Sequence, residues 1–150
     1  MVAETVLPYL TFSIGEQYYA LSIDNLVEVA AMVELTRTPD VNAKFIGVAN
    51  RHGTVLPMLD LRAVFQQDAP AMDVSTLFIV GRAGERMVGL VVDTIDQMEY
   101  IAARELSASK SKDAFIEQII TRDSRLIQVV ALPAVMAACL PQDMKVESDQ

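Results

Sequence analysis

The chain has 150 residues, a formal net charge of −8, and a composition that is 52% hydrophobic and 21% charged. This length suits one domain, or two very small domains that share a core, and the composition is typical of an ordered globular protein. The negative charge would repel a phosphate backbone, and the 12 Lys and Arg residues form no basic run. Nucleic acids and anionic membrane surfaces are therefore excluded as the expected partners, and proteins are favoured.

The sequence predicts no targeting or membrane-spanning segment. Its first residues lack a basic stretch followed by an apolar one, and no segment approaches the roughly 18 apolar residues of a membrane helix. The single cysteine, Cys139, cannot form an internal disulfide, which agrees with a reducing compartment. We therefore expect a cytoplasmic protein.

In chain order, the first elements are predicted strands. Apolar residues alternate with small or polar ones over 10–14 and again over 19–23, so each stretch should present one apolar face. Gly15 would turn the chain between them. Similar stretches follow, separated by turn signals at 51–53, 82–85 and 122–124. The pattern indicates a hairpin-rich, all-β protein.

Three short stretches are predicted to be helical, at about 24–27, 60–65 and 132–140. Asp60 can cap the second, because its carboxylate can accept hydrogen bonds from free N–H groups of the first turn. Pro133 suits the first turn of the third, where a missing N–H has no consequence. The polar and acidic residues 141–150 are predicted to form a flexible tail.

A weak internal duplication relates the two halves of the chain, with chance matching of apolar residues as the alternative explanation. Stretch 20–29 matches stretch 89–98, and Phe45-Ile46 matches Phe115-Ile116. Upstream of these stretches, Phe12, Ile14 and Gly15 match Phe78, Val80 and Gly81. The turn that follows is three residues longer in the second copy. Two small closed barrels, each built from one half, would leave fewer strand edges than a single open sheet. We predict a first barrel at about 10–66 and a second at about 74–140, with exchange of terminal strands allowed.

Four glycines and one proline have predicted architectural roles. Gly53 lies where a hairpin needs a positive φ, and Gly15 and Gly81 can serve their own hairpins in the same way. Gly89, inside a strand pattern, predicts a close backbone approach or a bulge. Pro57, also in a strand, predicts a sheet edge or a bulge.

Seven segments, taken in order, resemble the CheW-like domain family over nearly the whole chain. They read FSIG at 12–15, YALSI at 19–23, VEV at 27–29, FIGV at 45–48, NRHG at 50–53, LPMLDL at 56–61 and GLVVD at 89–93. The run 47–61 is the most specific part. The resemblance implies two packed, five-stranded, SH3-like β-barrels with a groove between them, and short helices that include one near the C-terminus.

The resemblance also implies a function. It predicts a non-enzymatic adaptor, without a cofactor, that couples the cytoplasmic tips of methyl-accepting chemoreceptors to the CheW-like regulatory domain of a CheA-type histidine kinase. Such a protein would act in chemotaxis and be recruited to receptor arrays at the inner membrane. The alternatives are an adaptor of a non-flagellar pathway that controls surface or pilus motility, a competing paralogue, and a barrel that binds a small molecule between its two halves.

By resemblance, Glu28 takes the acidic position of a receptor-contacting surface. Leu26 lies beside it, and the other predicted interaction residues are Gly47, Asn50, Arg51, His52 and Gly53. A carboxylate between Val27 and Val29 should point away from the face that these two valines bury.

The sequence departs from the family pattern at this surface. The pattern places a leucine and then an arginine before the hairpin glycine, whereas the chain has Arg51 and His52. Neighbouring residues on a strand point to opposite sides, so Arg51 is not expected to replace the missing arginine. A Glu28–His52 pair is the resulting hypothesis, and it would strengthen on acidification.

Catalytic and metal sites are not predicted. The only histidine, His52, lies in a tight turn with little support for a catalytic role, and no Cys-x-x-Cys or His-Glu-x-x-His motif occurs. Asp60 and Asp93 each end a strand, where a cap or a turn is expected, so we interpret both as structural.

Overall fold

The computed structural model describes residues 4–68, 71–73, 75–109 and 113–141. The predicted flexible tail, apart from Pro141, lies outside these residues. The chain forms strands β1 (Val6–Ile14), β2 (Gln17–Ser22), β3 (Leu26–Ala31), β4 (Phe45–Arg51), β5 (Thr54–Asp60), β6 (Leu77–Ala83), β7 (Arg86–Val91), β8 (Thr94–Ala102), β9 (Leu106–Ala108), β10 (Ile116–Arg122) and β11 (Arg125–Val130). The described residues also form the α-helices α1 (Leu61–Val64) and α2 (Leu132–Cys139), with 3-10 turns at Ile23–Asn25 and Ala103–Glu105.

The structure confirms the positions of the two predicted helices at 60–65 and 132–140, and the residues that begin them. Asp60 caps α1, its side chain accepting a hydrogen bond from the backbone N–H of Arg62 at 3.0 Å. Pro133 lies in the first turn of α2. The predicted turn at 24–27 is a 3-10 turn that begins one residue earlier and ends before β3. The 3-10 turn at Ala103–Glu105 was not predicted.

The strands form two sheets, which confirms the all-β class. One has six strands in the order β8-β1-β2-β11-β10-β9, and the other has five in the order β3-β6-β7-β5-β4. The two early strands β1 and β2 therefore lie among strands of the second half, while β6 and β7 lie among strands of the first. The expectation that each sheet is built from one half of the chain is wrong for these two hairpins, although the predicted limits of the two barrels allowed for exchange and stay a prediction.

The pairing registers favour an internal duplication but correct its alignment. Hairpin β1–β2 closes at Ile14 and Gln17, and hairpin β6–β7 closes at Ala83 and Arg86 around a turn of the same length. Gly15 (φ 60°) therefore corresponds to Gly84 (φ 64°). Gly81 lies inside β6 without a positive φ, so its predicted turn role is wrong. With the hairpins aligned in this way, both sheets have a bulge at the same place, after Leu26 in β3 and beside Phe12 in the β1–β8 pair.

Close packing explains Gly89, whereas Pro57 has a different setting from the one predicted. A Cβ on Gly89 would overlap the sulfur of Met58 on the neighbouring strand, so the close neighbour is a side chain rather than the predicted backbone or bulge. Pro57 is neither on an edge strand nor at the β4–β5 bulge, since β5 lies between β4 and β7 and Pro57 pairs with Val48. The parallel ladder to β7 begins one residue later, at Met58, so the missing N–H of Pro57 interrupts no bond in that ladder.

The described residues form three apolar clusters in the core. One fills the inside of the six-stranded sheet, around Tyr9, Ile120 and Ile127, and another fills the five-stranded sheet, around Leu56, Phe78 and Val91. The largest cluster lies between the sheets and under α2, where the rings of Phe12 and Tyr19 stack at 5.8 Å. Among the described residues, apolar side chains therefore pack between the two sheets.

The two sheets curl without a complete ring of strand ladders among the described residues. In the five-stranded sheet, Thr36 follows β3 and forms a backbone bridge with Val48 of β4, with N···O distances of 2.8 and 2.9 Å. In the six-stranded sheet, the terminal strands β8 and β9 are consecutive in the chain and are joined by the turn Ala103–Glu105. Both arrangements agree with small barrels in outline.

Candidate functional site

Glu28 and Arg51 form an ion pair at one end of the five-stranded sheet. Arg51 Nη2 contacts Glu28 Oε2, and the two side chains are 16% and 41% exposed for Arg51 and Glu28, respectively. Glu28 lies on the terminal strand β3, and Arg51 is the last residue of β4. The pair therefore joins the end of hairpin β4–β5 to the other terminal strand of the same sheet.

The pleat of the two strands explains this pair and corrects the sequence hypothesis. Glu28 is two residues from Ala30, and Arg51 is two residues from Ala49, and both alanines pack with the cluster inside this sheet. Residues two apart on a strand share a face, so both charged side chains point to the mouth of that interior. Arg51, rather than His52, thus pairs with Glu28. Neighbouring residues do point to opposite sides, but it is Arg51 that faces the carboxylate.

The expected burial of Val27 and Val29 is also wrong. Both valines are exposed, at 37% and 39%, whereas Glu28 and Ala30 are partly buried. The outer face of β3 is thus open at both valines, and its inner face holds the smaller Ala30. Glu28 therefore points inward toward the mouth of the sheet.

His52 occupies the tip of hairpin β4–β5. It has φ 53° and Gly53 has φ 83°, so both central residues of the turn are left-handed, as the predicted role of Gly53 requires. Asn50 Oδ1 accepts a hydrogen bond from Gly53 N at 3.1 Å and fixes the turn. The histidine is exposed, and it lines a shallow hollow together with Glu28, Arg51 and Val33.

Gly47 and Leu26 have architectural settings near this surface. Gly47 has φ 134°, and a Cβ there would lie 2.6 Å from the carbonyl oxygen of Thr36, next to the bridge that closes the sheet. Leu26 is partly buried against the core between the sheets. Of the seven predicted residues, Glu28, Asn50, Arg51, His52 and Gly53 thus surround one hairpin, while Leu26 and Gly47 support it from the core and from the bridge. Their role in partner binding stays a prediction.

A model of the CheW-like domain family matches residues 8–139. The chain belongs to the CheW-like domain family. It is 31% identical over 107 residues to the chemotaxis protein CheW of Klebsiella aerogenes, covering 71% of this chain and 64% of that relative. It is 28% identical to the chemotaxis protein CheW of Rhizobium meliloti over 131 residues, 84% of either chain. The chain thus spans less than two thirds of the Klebsiella relative but most of the Rhizobium one.

The fold of this CheW-like domain is also found in a solved structure. The crystal structure of the scaffolding protein TtCheW from Thermoanaerobacter tengcongensis superposes with a TM-score of 0.77 at 23% identity, covering 84% of this chain and 89% of the other. At this identity the likeness concerns the fold. Family membership agrees with the prediction of a non-enzymatic adaptor.

Within the part of the chain that the structure describes, no three metal-binding side chains cluster, and no helix is long and apolar enough to cross a membrane. Exposed Val33 lines the same hollow as Glu28 and Arg51, while Val27, Val29 and Val55 are exposed on the opposite faces of their strands. The sequence did not identify the three strand valines as exposed, because alternation gives the two faces of a strand but not which face another sheet covers.

Proposed function

We propose that this CheW-like domain is a cytoplasmic scaffold that couples chemoreceptor tips to the CheW-like regulatory domain of a histidine kinase, at receptor arrays on the inner membrane. The observation that supports it best is the hairpin surface: a charged pair with a polar turn, beside the exposed Val33. Apolar side chains beside charged and polar groups suit a protein contact, in which the apolar area is buried and the charges give orientation and specificity. The role requires binding surfaces and no chemistry.

The first test is titration calorimetry with two partners from the same organism, the kinase regulatory domain and a receptor-tip fragment, titrated separately. Binding to both supports the coupling role. Binding to the kinase domain alone favours a competing paralogue or an adaptor of another pathway, such as surface motility. Binding to neither contradicts the proposal.

Replacing Glu28 by glutamine should weaken binding of the receptor fragment about tenfold, because it removes the charge that orients Arg51 at the surface. Kinase binding should stay unchanged. The fold should survive, since a partly exposed pair contributes only about 0–1 kcal/mol. The matched control is Glu4→Gln, which removes another surface carboxylate, paired with Arg104 at 3.2 Å. Equal receptor affinities for both variants would show that the Glu28 surface is not the receptor site.

Replacing His52 by asparagine tests whether the hairpin tip contacts the receptor. Asparagine tolerates the left-handed backbone of this position, so the turn should persist while the imidazole ring is lost. If the ring contacts the receptor, the variant should bind the receptor fragment about tenfold more weakly. Calorimetry measures this loss, and equal affinities of the two proteins would place His52 outside the contact.

A further inference from the structure

A second charged cluster lies at the end of the six-stranded sheet. Glu99 on β8 is a buried carboxylate, and Arg125 Nη2 donates to its Oε1 at 3.1 Å. Arg122, the last residue of β10, makes a two-pronged contact with Glu105, from Nε at 2.8 Å and from Nη2 at 2.9 Å. Its Nη1 also lies 3.4 Å from Glu99 Oε1. Four side chains from three segments therefore form one network.

This network occupies a place where strand pairing is missing. Among the described residues no ladder joins β8 to β10, yet Arg122 Nη2 donates to the backbone carbonyl of Tyr100 on β8 at 2.7 Å. Glu105, in turn, accepts from the backbone N–H of Ala102 at 3.0 Å. The arginine and the glutamate thus each bond a backbone group near the end of β8.

The corresponding end of the five-stranded sheet is built differently. Arg51 and Arg122 each end the first strand of a hairpin whose two turn residues have positive φ, so the two arginines correspond. Arg51 has one partly exposed carboxylate partner, and the sheet is closed by the backbone bridge between Thr36 and Val48. The six-stranded sheet relies on side chains instead.

We propose that Glu99, Glu105, Arg122 and Arg125 form an ionic latch that closes the six-stranded sheet and holds hairpin β10–β11 against β8. Breaking the latch opens this end of the sheet locally and leaves the five-stranded sheet closed. The hairpin at 122–125, held by the network, is therefore less mobile than the related hairpin at 51–54, held by one partly exposed ion pair. This inference does not depend on the proposed coupling function.

The charges around the latch keep it closed at neutral pH. Hydrogen bonds from Arg122 hold the pKa of Glu105 at about 2. Burial would raise the pKa of Glu99, but hydrogen bonds from Arg125, Thr11 and Arg122 outweigh it, and the pKa is lowered. The stabilisation from both carboxylates is thus present above their ordinary pKa of 4.5 and is lost as the pH falls below it. Burial raises the pKa of nearby Asp96, which interacts with the charges of Arg125 and Glu99. Protonation of Asp96 as the pH falls therefore favours the folded state, whereas protonation of Glu99 and Glu105 disfavours it.

Native-state hydrogen exchange on the full chain tests the latch. Arg122→Gln should speed exchange of β8 and β10 amides about tenfold or more, the effect of losing bonds between charged groups, and leave β5 and β7 unchanged. Arg51→Gln, the matched control, should leave β8 and β10 unchanged. Equal acceleration at every amide, or none in β8 and β10, would overturn the proposal.

A gentler variant covers the case in which Arg122→Gln does not fold. Glu105→Gln keeps the shape of the side chain and removes its charge. Protection in β8 and β10 should fall in this variant at neutral pH, and it should change less than in the wild type as the pH is lowered from 4.5 toward 2. Full wild-type protection in Glu105→Gln at neutral pH would also overturn the latch.

Discussion

Replacing Arg62 by leucine should lower the free energy of unfolding by about 3–5 kcal/mol, the effect of leaving a buried charge without its partner. The Arg62 side chain is 5% exposed, and its Nε and Nη2 donate to the two carboxylate oxygens of Asp60 at 2.8 and 3.2 Å. A third contact, 3.4 Å long, reaches Asp93, whose other oxygen accepts from Gly15 N at 2.7 Å. Arg62 therefore links the start of α1 to the turns after β7 and β1, and so connects the two sheets.

Denaturant unfolding of the variant measures this loss, with Arg104→Leu as the control. Arg104 is also paired with a glutamate, at 3.2 Å, but it is 68% exposed, so its loss should change stability by about 0–1 kcal/mol. The double variant Arg62→Leu with Asp60→Asn should recover part of the stability, because the stranded charge is then gone. An Arg62 variant as stable as the Arg104 variant would show that the cluster contributes little.

Local features of the fold were predictable because their signals are local. The turn at 51–53, the cap at Asp60 and the proline at the start of α2 depend on residues within one turn of each other, and the structure confirms each of them. Asp60 and Asp93 were interpreted as structural, which agrees with their contacts to Arg62 and Gly15. Apolar alternation likewise indicated strands, but not which strands pair.

The exchange of hairpins between the sheets could not be predicted in the same way. It depends on contacts between distant segments, such as the parallel pairing of β2 with β11 and of β5 with β7. The duplication was aligned on Phe12 and Phe78, which share a residue type, whereas the structure aligns the equal turns at Gly15 and Gly84. Residue identity at an apolar position is a weaker guide than turn geometry, because many apolar residues fit one core site.

At the candidate surface, the sequence located the hairpin but not the partner of Glu28. The alternation of side chains along a strand correctly places Arg51 and His52 on opposite faces. The sequence does not show which of the two shares the inner face with Ala49. That face is set by the bulge between Phe45 and Gly47, where the β4–β5 register shifts. A bulge exchanges the inner and outer faces for every residue beyond it. This bulge includes Gly47, whose positive φ cannot be inferred from a pattern of apolar residues.

Replacing Gly47 by alanine should therefore have a large effect on both stability and the hairpin. Its φ of 134° strains any residue with a Cβ, by about 1–3 kcal/mol, and the added carbon would lie 2.6 Å from the carbonyl oxygen of Thr36. Relieving that overlap adds about 1–3 kcal/mol, since the neighbour is backbone and must shift. The bridge between Thr36 and Val48 should then weaken, which loosens β4 and the hairpin at 51–54.

Gly84→Ala separates the two causes. Gly84 also has a positive φ, 64°, but a Cβ there would meet nothing within 4 Å, so only the backbone strain of about 1–2 kcal/mol remains. Unfolding curves should place Gly47→Ala clearly below Gly84→Ala in stability, and hydrogen exchange should show faster exchange at Thr36 and Val48 in the first variant alone. If the two variants are equally stable, the close approach of Thr36 is not what requires glycine at position 47. A loss of receptor binding in Gly47→Ala would then reflect contact with the partner rather than the shape of β4.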